Sequence, residues 1–235
     1  GRSKDLRSFL LTKAYPFPKK YQEMHHVEVY LEFLEQMGIA VKKKTPELRL
    51  GVQEIEEAKS KFLTSSVKDV IYVGIHPSAA YGPAKVWPLE RFHSLAKELL
   101  KFPRIELVYL GDNKALEAIN KVYLEGESCQ HNLAGKTSIR ELMALLKCCQ
   151  LFITNDSGPM HLAAALKVPL VSLFGSTDPT RTSPYKWGDV MYKKVSCSPC
   201  FRRVCPIDFP CMMQIQTQEV LAKCLNQLRA SNADL

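Results

Sequence analysis

The stretch Leu151-Phe-Ile-Thr-Asn-Asp-Ser-Gly-Pro-Met-His-Leu-Ala-Ala-Ala-Leu166 predicts a buried strand that turns sharply into a helix. Pro159 suits the first helical turn, because the N–H group that proline lacks has no partner there. We expect Ser157 to cap the helix and Gly158 to let a ligand approach the backbone. The open N–H groups and the positive end of the helix dipole then predict an anion site.

Two further side chains of this stretch suggest what the anion site binds. Asp156 would repel a phosphate, so we expect its carboxylate to accept hydrogen bonds from sugar hydroxyls. His161 lies one turn into the helix and is expected to donate to a phosphate oxygen. The alternative is a capped core helix that only packs on a sheet. We disfavour it, because Asp, Ser and His converging at a strand end exceed what capping requires.

From about residue 70 onward, short apolar runs alternate with amphipathic runs. We predict strands over residues 70–75, 105–110, 151–154 and 169–174, and helices over residues 88–101, 113–124, 138–147 and 157–167. This alternation predicts an α/β fold with a Rossmann-like, doubly wound parallel sheet. Such sheets bind ligands beyond the carboxyl ends of their strands.

The first part of the chain has a different pattern. Residues 21–37 form an amphipathic run that ends at Gly38, and residues 54–62 suggest a second helix. No complete strand–helix–strand unit precedes residue 65. We therefore predict a helical region with a linker over residues 1–65, and a ligand-binding domain with a C-terminal helix over residues 66–235.

Two other loops follow predicted strands. After the first strand, Ser78 and the small Ala79 allow close backbone contact with an anion, and Lys85 adds a flexible positive charge. The alternative for this loop is an ordinary polar connection. After the last strand, Asp178 can shape the loop through side-chain to backbone bonds. Arg181 could meet an acidic ligand there, although an exposed arginine is more often only solvated.

Composition and missing motifs exclude several classes of function. The formal net charge of +8 favours anionic partners, or it reflects scattered, solvated lysines. No nucleic-acid-binding signature is present, so we expect no nucleic-acid partner. Gln130 stands where a P-loop ending in residues 135–137 needs glycine, and Ser157 lacks the G-x-S-x-G context of a serine hydrolase. A dinucleotide-dependent oxidoreductase is disfavoured because no G-x-G-x-x-G follows the first strand.

A cysteine cluster near the C-terminus leaves its own role open. Its spacing is C-x2-C-x4-C-x5-C, formed by Cys197, Cys200, Cys205 and Cys211. Four soft ligands on short loops can hold a metal ion, but the spacing matches no common zinc module, and the thiols could equally be free or paired. The first residues lack the apolar segment of a signal peptide, and no apolar run is long enough to span a bilayer. We therefore expect a cytoplasmic protein.

Three segments together resemble the ADP-heptose:lipopolysaccharide heptosyltransferases, especially those of the type II class. They span residues 76–92, 154–165 and 173–179. The resemblance implies a GT-B glycosyltransferase, with two facing Rossmann-like domains and the ADP-heptose donor mainly on the C-terminal one. It also implies inverting transfer to the lipid A–Kdo/heptose core, without a cofactor or metal.

The resemblance also implies roles for individual residues. The diphosphate would be contacted by Ser78, Ala79 and Lys85. The phosphate and sugar would be held by Asp156, Ser157, Gly158 and His161. Asp112 would face the ribose and Thr137 the adenine edge. Lys85 and the helix dipole would stabilise the departing diphosphate.

Residues 1–65 depart from the family pattern. They contain no match to the first strand and the glycine-containing loop that carries the catalytic aspartate in the family. We therefore expect that most of the N-terminal domain is absent and that the base that activates the acceptor hydroxyl is not in this chain. The alternative function is a truncated, inactive module that binds an ADP-sugar. Peripheral contact with the cytoplasmic face of the inner membrane is a further expectation.

Overall fold

The structure is a computed structural model that describes residues 7–42 and 45–231. Residues 1–6, which belong to the predicted first region, lie outside the described residues, as do residues 43–44 and 232–235. Six strands are present in the described part: β1 Ile71–His76, β2 Ile105–Tyr109, β3 Gln130–Asn132, β4 Leu151–Asn155, β5 Leu170–Phe174 and β6 Asp189–Tyr192. Four of them match the strands predicted from the apolar runs.

All strand pairs in the sheet are parallel, and the strand order is β3-β2-β1-β4-β5-β6. The chain builds outward from β1 in one direction and then returns to begin again at β4. The order therefore reverses between β1 and β4, which makes their carboxyl ends the topological switch point where doubly wound sheets bind ligands. The predicted Rossmann-like parallel sheet is confirmed.

The helices of the described residues cover both faces of the sheet. Their bounds are α1 His26–Gln36, α2 Val52–Phe62, α3 Leu89–Leu99, α4 Leu116–Val122, α5 Ile139–Cys148, α6 Gly158–Ala165, α7 Pro179–Thr182, α8 Pro210–Met213 and α9 Thr217–Ala230. Helices α3, α4 and α9 bury their apolar residues in the core of one face, and α2, α5 and α6 in the core of the other. None of these helices has the length and apolar character needed to cross a membrane.

Two predicted helices are wrong in detail. Residues 113–124 do not form one helix, because Asp112 caps a short 3-10 turn over Asn113–Ala115 and α4 begins only at Leu116. The helix predicted over residues 21–37 begins later, at His26, where the His25 ring accepts a hydrogen bond from the Val27 N–H. Its predicted stop at Gly38 is confirmed, since that glycine has a φ of 80°.

The first region is attached to the Rossmann-like domain by apolar packing of α2 and by polar contacts. In the described residues no strand precedes β1, as expected. Helix α2 packs on α5, where Glu54 pairs with Arg140 and Lys61 with Glu141. His25 Nε2 lies 2.9 Å from the Ser183 carbonyl. The division of the chain at residue 65 remains a prediction.

Candidate functional site

A cavity of about 350 Å³ lies at the switch point between β1 and β4, and we call it the switch-point cavity. Six of the nine residues predicted for the site line it: Ser78, Ala79, Asp112, Thr137, Ser157 and Gly158. They come from loops that are far apart in sequence and meet because the parallel strands end at one edge. The structure thus brings together the residues predicted for the two ends of one ligand.

The floor of the cavity is fixed by His76, which ends β1 and was not predicted. Its ring is buried, with Nδ1 at 2.8 Å from the Leu110 carbonyl and Nε2 at 3.3 Å from Ser78 Oγ. Burial lowers the pKa of His76, so the ring is neutral near pH 7. Nδ1–H then donates to the carbonyl, and Nε2 accepts the hydroxyl hydrogen of Ser78, which orients that side chain in the cavity.

The start of α6 forms one wall and is open to a ligand. Ser157 has the extended backbone of an N-cap, but its side chain makes no capping hydrogen bond, so this prediction is wrong. Its Oγ lies 2.9 Å from Thr154 Oγ1 instead. The first N–H groups of α6 therefore have no side-chain cap. At Gly158 an added Cβ would meet no atom within 4 Å, which agrees with the predicted ligand approach.

The opposite end of the cavity is apolar. Ile139 is 71% exposed and lines the cavity together with Leu142. Both belong to α5, whose start is fixed by the Ser138 side chain, which accepts from the Glu141 N–H. The exposed Ile139 and the partly buried Leu142 provide an apolar surface near Thr137 on which a flat, uncharged ring can pack. These two residues were not predicted as site residues.

Lys85 and Asp156 form a buried ion pair beside the cavity. Lys85 Nζ donates to Asp156 Oδ2 at 2.5 Å, and the two side chains are only 12% and 5% exposed. Thr177 donates to the same carboxylate oxygen at 2.7 Å. Lys85 is therefore held in place, which corrects the prediction of a flexible charge. The Asp156 carboxylate, which was predicted to accept hydrogen bonds from sugar hydroxyls, already has two partners here.

His161 lies apart from the switch-point cavity. It is exposed on α6 and lines a small cleft together with Val27, Pro46 and Tyr185. Desolvation lowers the pKa of His161, and the nearby Asp156 carboxylate opposes this shift. His161 therefore lies beside residues of the N-terminal region, and the structure does not bring it among the residues that line the switch-point cavity.

Asn155 ties the two principal loops together. Its side-chain Oδ1 accepts from the Trp87 N–H at 3.0 Å, and its Nδ2 donates to the Ser78 carbonyl at 3.4 Å. Trp87 is fully buried, so this bond anchors the Ser78 loop to the end of β4. Sequence reasoning missed Asn155, His76 and Thr177, although all three stand inside the segments that carry the predicted site.

The clustered cysteines show no metal-binding arrangement. Within the described residues no group of three or more His, Cys, Asp or Glu side chains is placed to hold a metal ion. The eight cysteines of the chain are free thiols in the structure. Cys211 is buried, which raises the pKa of its thiol, while Cys197 is exposed.

These features define a Rossmann-like domain with an uncapped helix start and an apolar surface at one switch point. Comparison with known proteins agrees with this class. The profile of glycosyltransferase family 9 (heptosyltransferase) matches residues 1–209. The lipooligosaccharide heptosyltransferase 2 of Campylobacter jejuni is 34% identical over 240 residues, covering 98% of this chain and 73% of the relative. The chain belongs to glycosyltransferase family 9, the heptosyltransferase family.

Solved structures give the same result. The E. coli ADP-heptose lipopolysaccharide heptosyltransferase II matches with a TM-score of 0.68 and 30% identity over 83% of this chain. The chain spans 57% of that E. coli protein. A family 9 glycosyltransferase from Veillonella parvula matches with a TM-score of 0.83 and 23% identity, over 97% of this chain and 67% of its own length, and bears on the fold alone. The family resemblance and the GT-B fold class predicted from the sequence are confirmed.

Proposed function

We propose that this chain binds ADP-heptose in the switch-point cavity and transfers heptose to the inner core of lipopolysaccharide or lipooligosaccharide. The observation that carries the proposal is the composition of the cavity. One end has the uncapped start of α6 with Gly158, and the other has the apolar surface of Ile139 and Leu142. A nucleoside diphosphate matches both ends, because its phosphates are anionic and its base is flat and uncharged.

In this proposal the adenine packs on α5 near Thr137, and the ribose lies near Asp112. The diphosphate accepts hydrogen bonds from the first N–H groups of α6 and from the Ser78 hydroxyl. Lys85 has three donor hydrogens, so it can keep its bond to Asp156 and still donate to a phosphate oxygen. The sugar then lies near Asp156. His161 contacts the donor only if the bound sugar extends across α6.

Inverting transfer requires the acceptor oxygen to attack the anomeric carbon from the face opposite the diphosphate. The bond from that carbon to the phosphate oxygen breaks, and ADP leaves with the electron pair. Lys85 and the α6 dipole stabilise the negative charge on ADP as it develops. A base outside the described residues takes the proton of the acceptor hydroxyl. No cofactor enters this scheme.

Calorimetry with ADP-heptose and with ADP alone tests donor binding. We expect both to bind at one site, and ADP to compete with the sugar nucleotide. Absence of binding by either compound would refute the proposal. A titration with AMP serves as the control for the second phosphate, and we expect weaker binding because only one phosphate remains to contact the helix start.

The alternative function is a module that binds an ADP-sugar without turnover. Family membership and the heptosyltransferase names of the relatives support the transferase over this module. Incubation with ADP-heptose and a heptose-deficient lipooligosaccharide acceptor distinguishes the two. Formation of ADP and a longer acceptor supports the transferase, whereas donor binding without either product supports the module.

The proposal also carries expectations about where the protein acts. A donor activated with ADP and an acceptor anchored in lipid A meet at the cytoplasmic face of the inner membrane. We therefore propose a cytoplasmic protein that contacts this membrane peripherally. Flotation with lipid vesicles that contain the acceptor tests the contact, and recovery of the protein only in the lipid-free fraction would contradict it.

A further inference from the structure

A second cavity, of about 280 Å³, lies outside the switch-point cavity, and we call it the aromatic cavity. Its walls come from the N-terminal region and from α7, which follows β5. The residues used below are Phe17, Tyr21, His26, Tyr30, Phe33 and Arg181. Four aromatic rings thus surround one histidine and one guanidinium, which is a combination that the proposed donor site does not use.

Arg181 is the principal charged group of the aromatic cavity. Its side chain is partly buried, and within the described residues it makes no ion pair with a carboxylate. One terminal nitrogen lies 3.2 Å from His26 Nε2, and its Nε is buried without a hydrogen-bond partner. A guanidinium that is withdrawn from water and lacks an anion is unfavourable, so the site favours a negatively charged ligand.

The surroundings leave that positive charge uncompensated. Desolvation and the adjacent Arg181 lower the pKa of His26, so near pH 7 this ring is a neutral acceptor rather than a counter-ion. Asp156 is close enough to act on the pKa of His26, but its carboxylate is bonded to Lys85 and Thr177. An incoming anion would therefore supply the missing partner for Arg181.

The aromatic walls restrict the class of ligand further. Tyr30 is 66% exposed, so one wall is open to solvent and to a ligand of some size. Tyr21 and Phe17 pack against each other with ring centroids 4.7 Å apart and present two adjacent aromatic rings to the cavity. Aromatic walls with one cationic group suit a ligand that has an apolar ring face and an anionic substituent.

We propose that the aromatic cavity binds an anionic sugar unit of the acceptor, with its carboxylate or phosphate on Arg181 and its ring against the aromatic side chains. This inference rests on the proposed function, since it places acceptor and donor on two sides of the Lys85–Asp156 pair. His26 belongs to the cavity and is influenced by Asp156, so the two ligands would meet near that carboxylate.

Ligand-observed NMR with the whole chain tests the proposal through three probes. The first is 3-deoxy-D-manno-oct-2-ulosonic acid, which carries a carboxylate; the second is mannose 6-phosphate; the third is methyl mannoside, which is neutral. We expect saturation transfer to at least one anionic probe and none to the neutral one. The stronger anionic probe identifies the substituent. Equal transfer to all three probes, or none to any, would overturn the proposal.

Substitution of Arg181 locates the binding. We expect Arg181→Gln to lower the affinity for the anionic probe by about tenfold, because a charge-assisted hydrogen bond is lost. Arg181→Lys should lower the affinity less. The matched control is Arg202→Gln, which removes an exposed charge from the cysteine-rich loop and should leave the affinity unchanged. Unchanged binding in a folded Arg181→Gln variant would place the anion elsewhere and contradict the proposal.

Titration with ADP separates this inference from the proposed function. We expect Arg181→Gln to bind ADP like the unsubstituted chain, because Arg181 does not line the switch-point cavity. If the unsubstituted chain fails to bind ADP, the proposed function fails. If ADP binds and the anionic sugars do not, only the aromatic cavity has been misassigned. Stoichiometric binding of a peptide in place of sugars would likewise refute this assignment.

Discussion

The switch-point cavity and the aromatic cavity are built in opposite ways. The first is made by loops that continue directly from buried strands, so the sheet positions backbone groups and short side chains such as Ser78 and Ser157. The second is made by long side chains of α1 and its preceding segment around Arg181. Parallel strands thus bring backbone groups and short side chains together at one edge of the sheet, whereas the aromatic cavity depends on long side chains from distant parts of the chain.

The substitution with the largest expected effect should change ligand binding in the switch-point cavity and not in the aromatic cavity. We expect Gly158→Asp to abolish ADP binding, because a carboxylate about 4 Å from a phosphate costs about 4 kcal/mol in a partly screened site, or roughly a thousandfold in affinity. The fold has room for the side chain, since an added Cβ at Gly158 meets nothing within 4 Å. Calorimetry measures the affinity, and thermal unfolding checks the fold.

Gly158→Ala is the control for that substitution, because it adds a Cβ without charge. We expect it to retain ADP binding within a few-fold. Normal binding by the aspartate variant would show that the diphosphate does not lie at the α6 start. Neither variant should alter binding of an anionic sugar to the aromatic cavity.

Breaking the Lys85–Asp156 ion pair has the second largest expected effect. We expect Lys85→Met to lower the free energy of unfolding by about 3 kcal/mol, because it leaves the Asp156 carboxylate buried without its cationic partner. Adding Asp156→Asn should restore most of the stability while ADP binding stays weak. Urea unfolding measures the first effect and calorimetry the second. Equal stability of the single variant and the unsubstituted chain would contradict the buried pair.

Acid should destabilise the protein through the buried His76. Burial lowers the pKa of His76 below its ordinary value of 6.5, so below that pH the unfolded chain binds more protons than the folded one. Stability is therefore complete above pH 6.5 and falls as the pH decreases, by up to about 1.4 kcal/mol per unit for one such group. Urea unfolding at pH 7.5 and 5.5 measures this loss.

His76→Gln provides the comparison for the pH effect. Its side-chain amide can still donate to the Leu110 carbonyl, but it does not titrate. We expect a smaller loss of stability between pH 7.5 and 5.5 in this variant. An identical loss would assign the effect to other groups, such as His26 and His161, whose pKa values are also lowered.

The smallest expected effect concerns Thr177. Thr177→Val removes one hydrogen bond to the buried Asp156 carboxylate. It should lower the free energy of unfolding by about 1 kcal/mol, which is typical for the loss of one hydrogen bond. Thr177→Ser keeps the hydroxyl and is the matched control. A loss in the serine variant as large as in the valine variant would show that methyl packing, not the hydrogen bond, is responsible.

The strands that are buried along their whole length could be predicted from the sequence, whereas short or partly buried strands could not. Strands β1, β4 and β5 are buried along their whole length, which gives an unbroken apolar run or nearly so. Strand β3 has only three residues, and β6 lies at an edge of the sheet and is only partly buried, so neither produces such a run.

The site residues that lie next to a buried strand were also predictable, whereas contacts between distant parts of the chain were not. Ser78, Gly158 and other residues of the switch-point cavity lie directly after strand ends, where the sequence places them. The pairing of Lys85 with Asp156 joins residues 71 positions apart, and the aromatic cavity joins α1 to Arg181. A single sequence contains no local signal for such contacts, although Arg181 was marked as a residue that could meet an acidic ligand.

The most direct test of the central claim is methyl NMR of the whole chain during titration with ADP. Ile139 lines the switch-point cavity and Val29 lines the aromatic cavity, so their methyl signals report on the two sites separately. We expect ADP to shift the Ile139 signal progressively to saturation and to leave the Val29 signal in place. A shift of Val29 without Ile139, or of neither, would contradict the assignment of the switch-point cavity to the nucleotide.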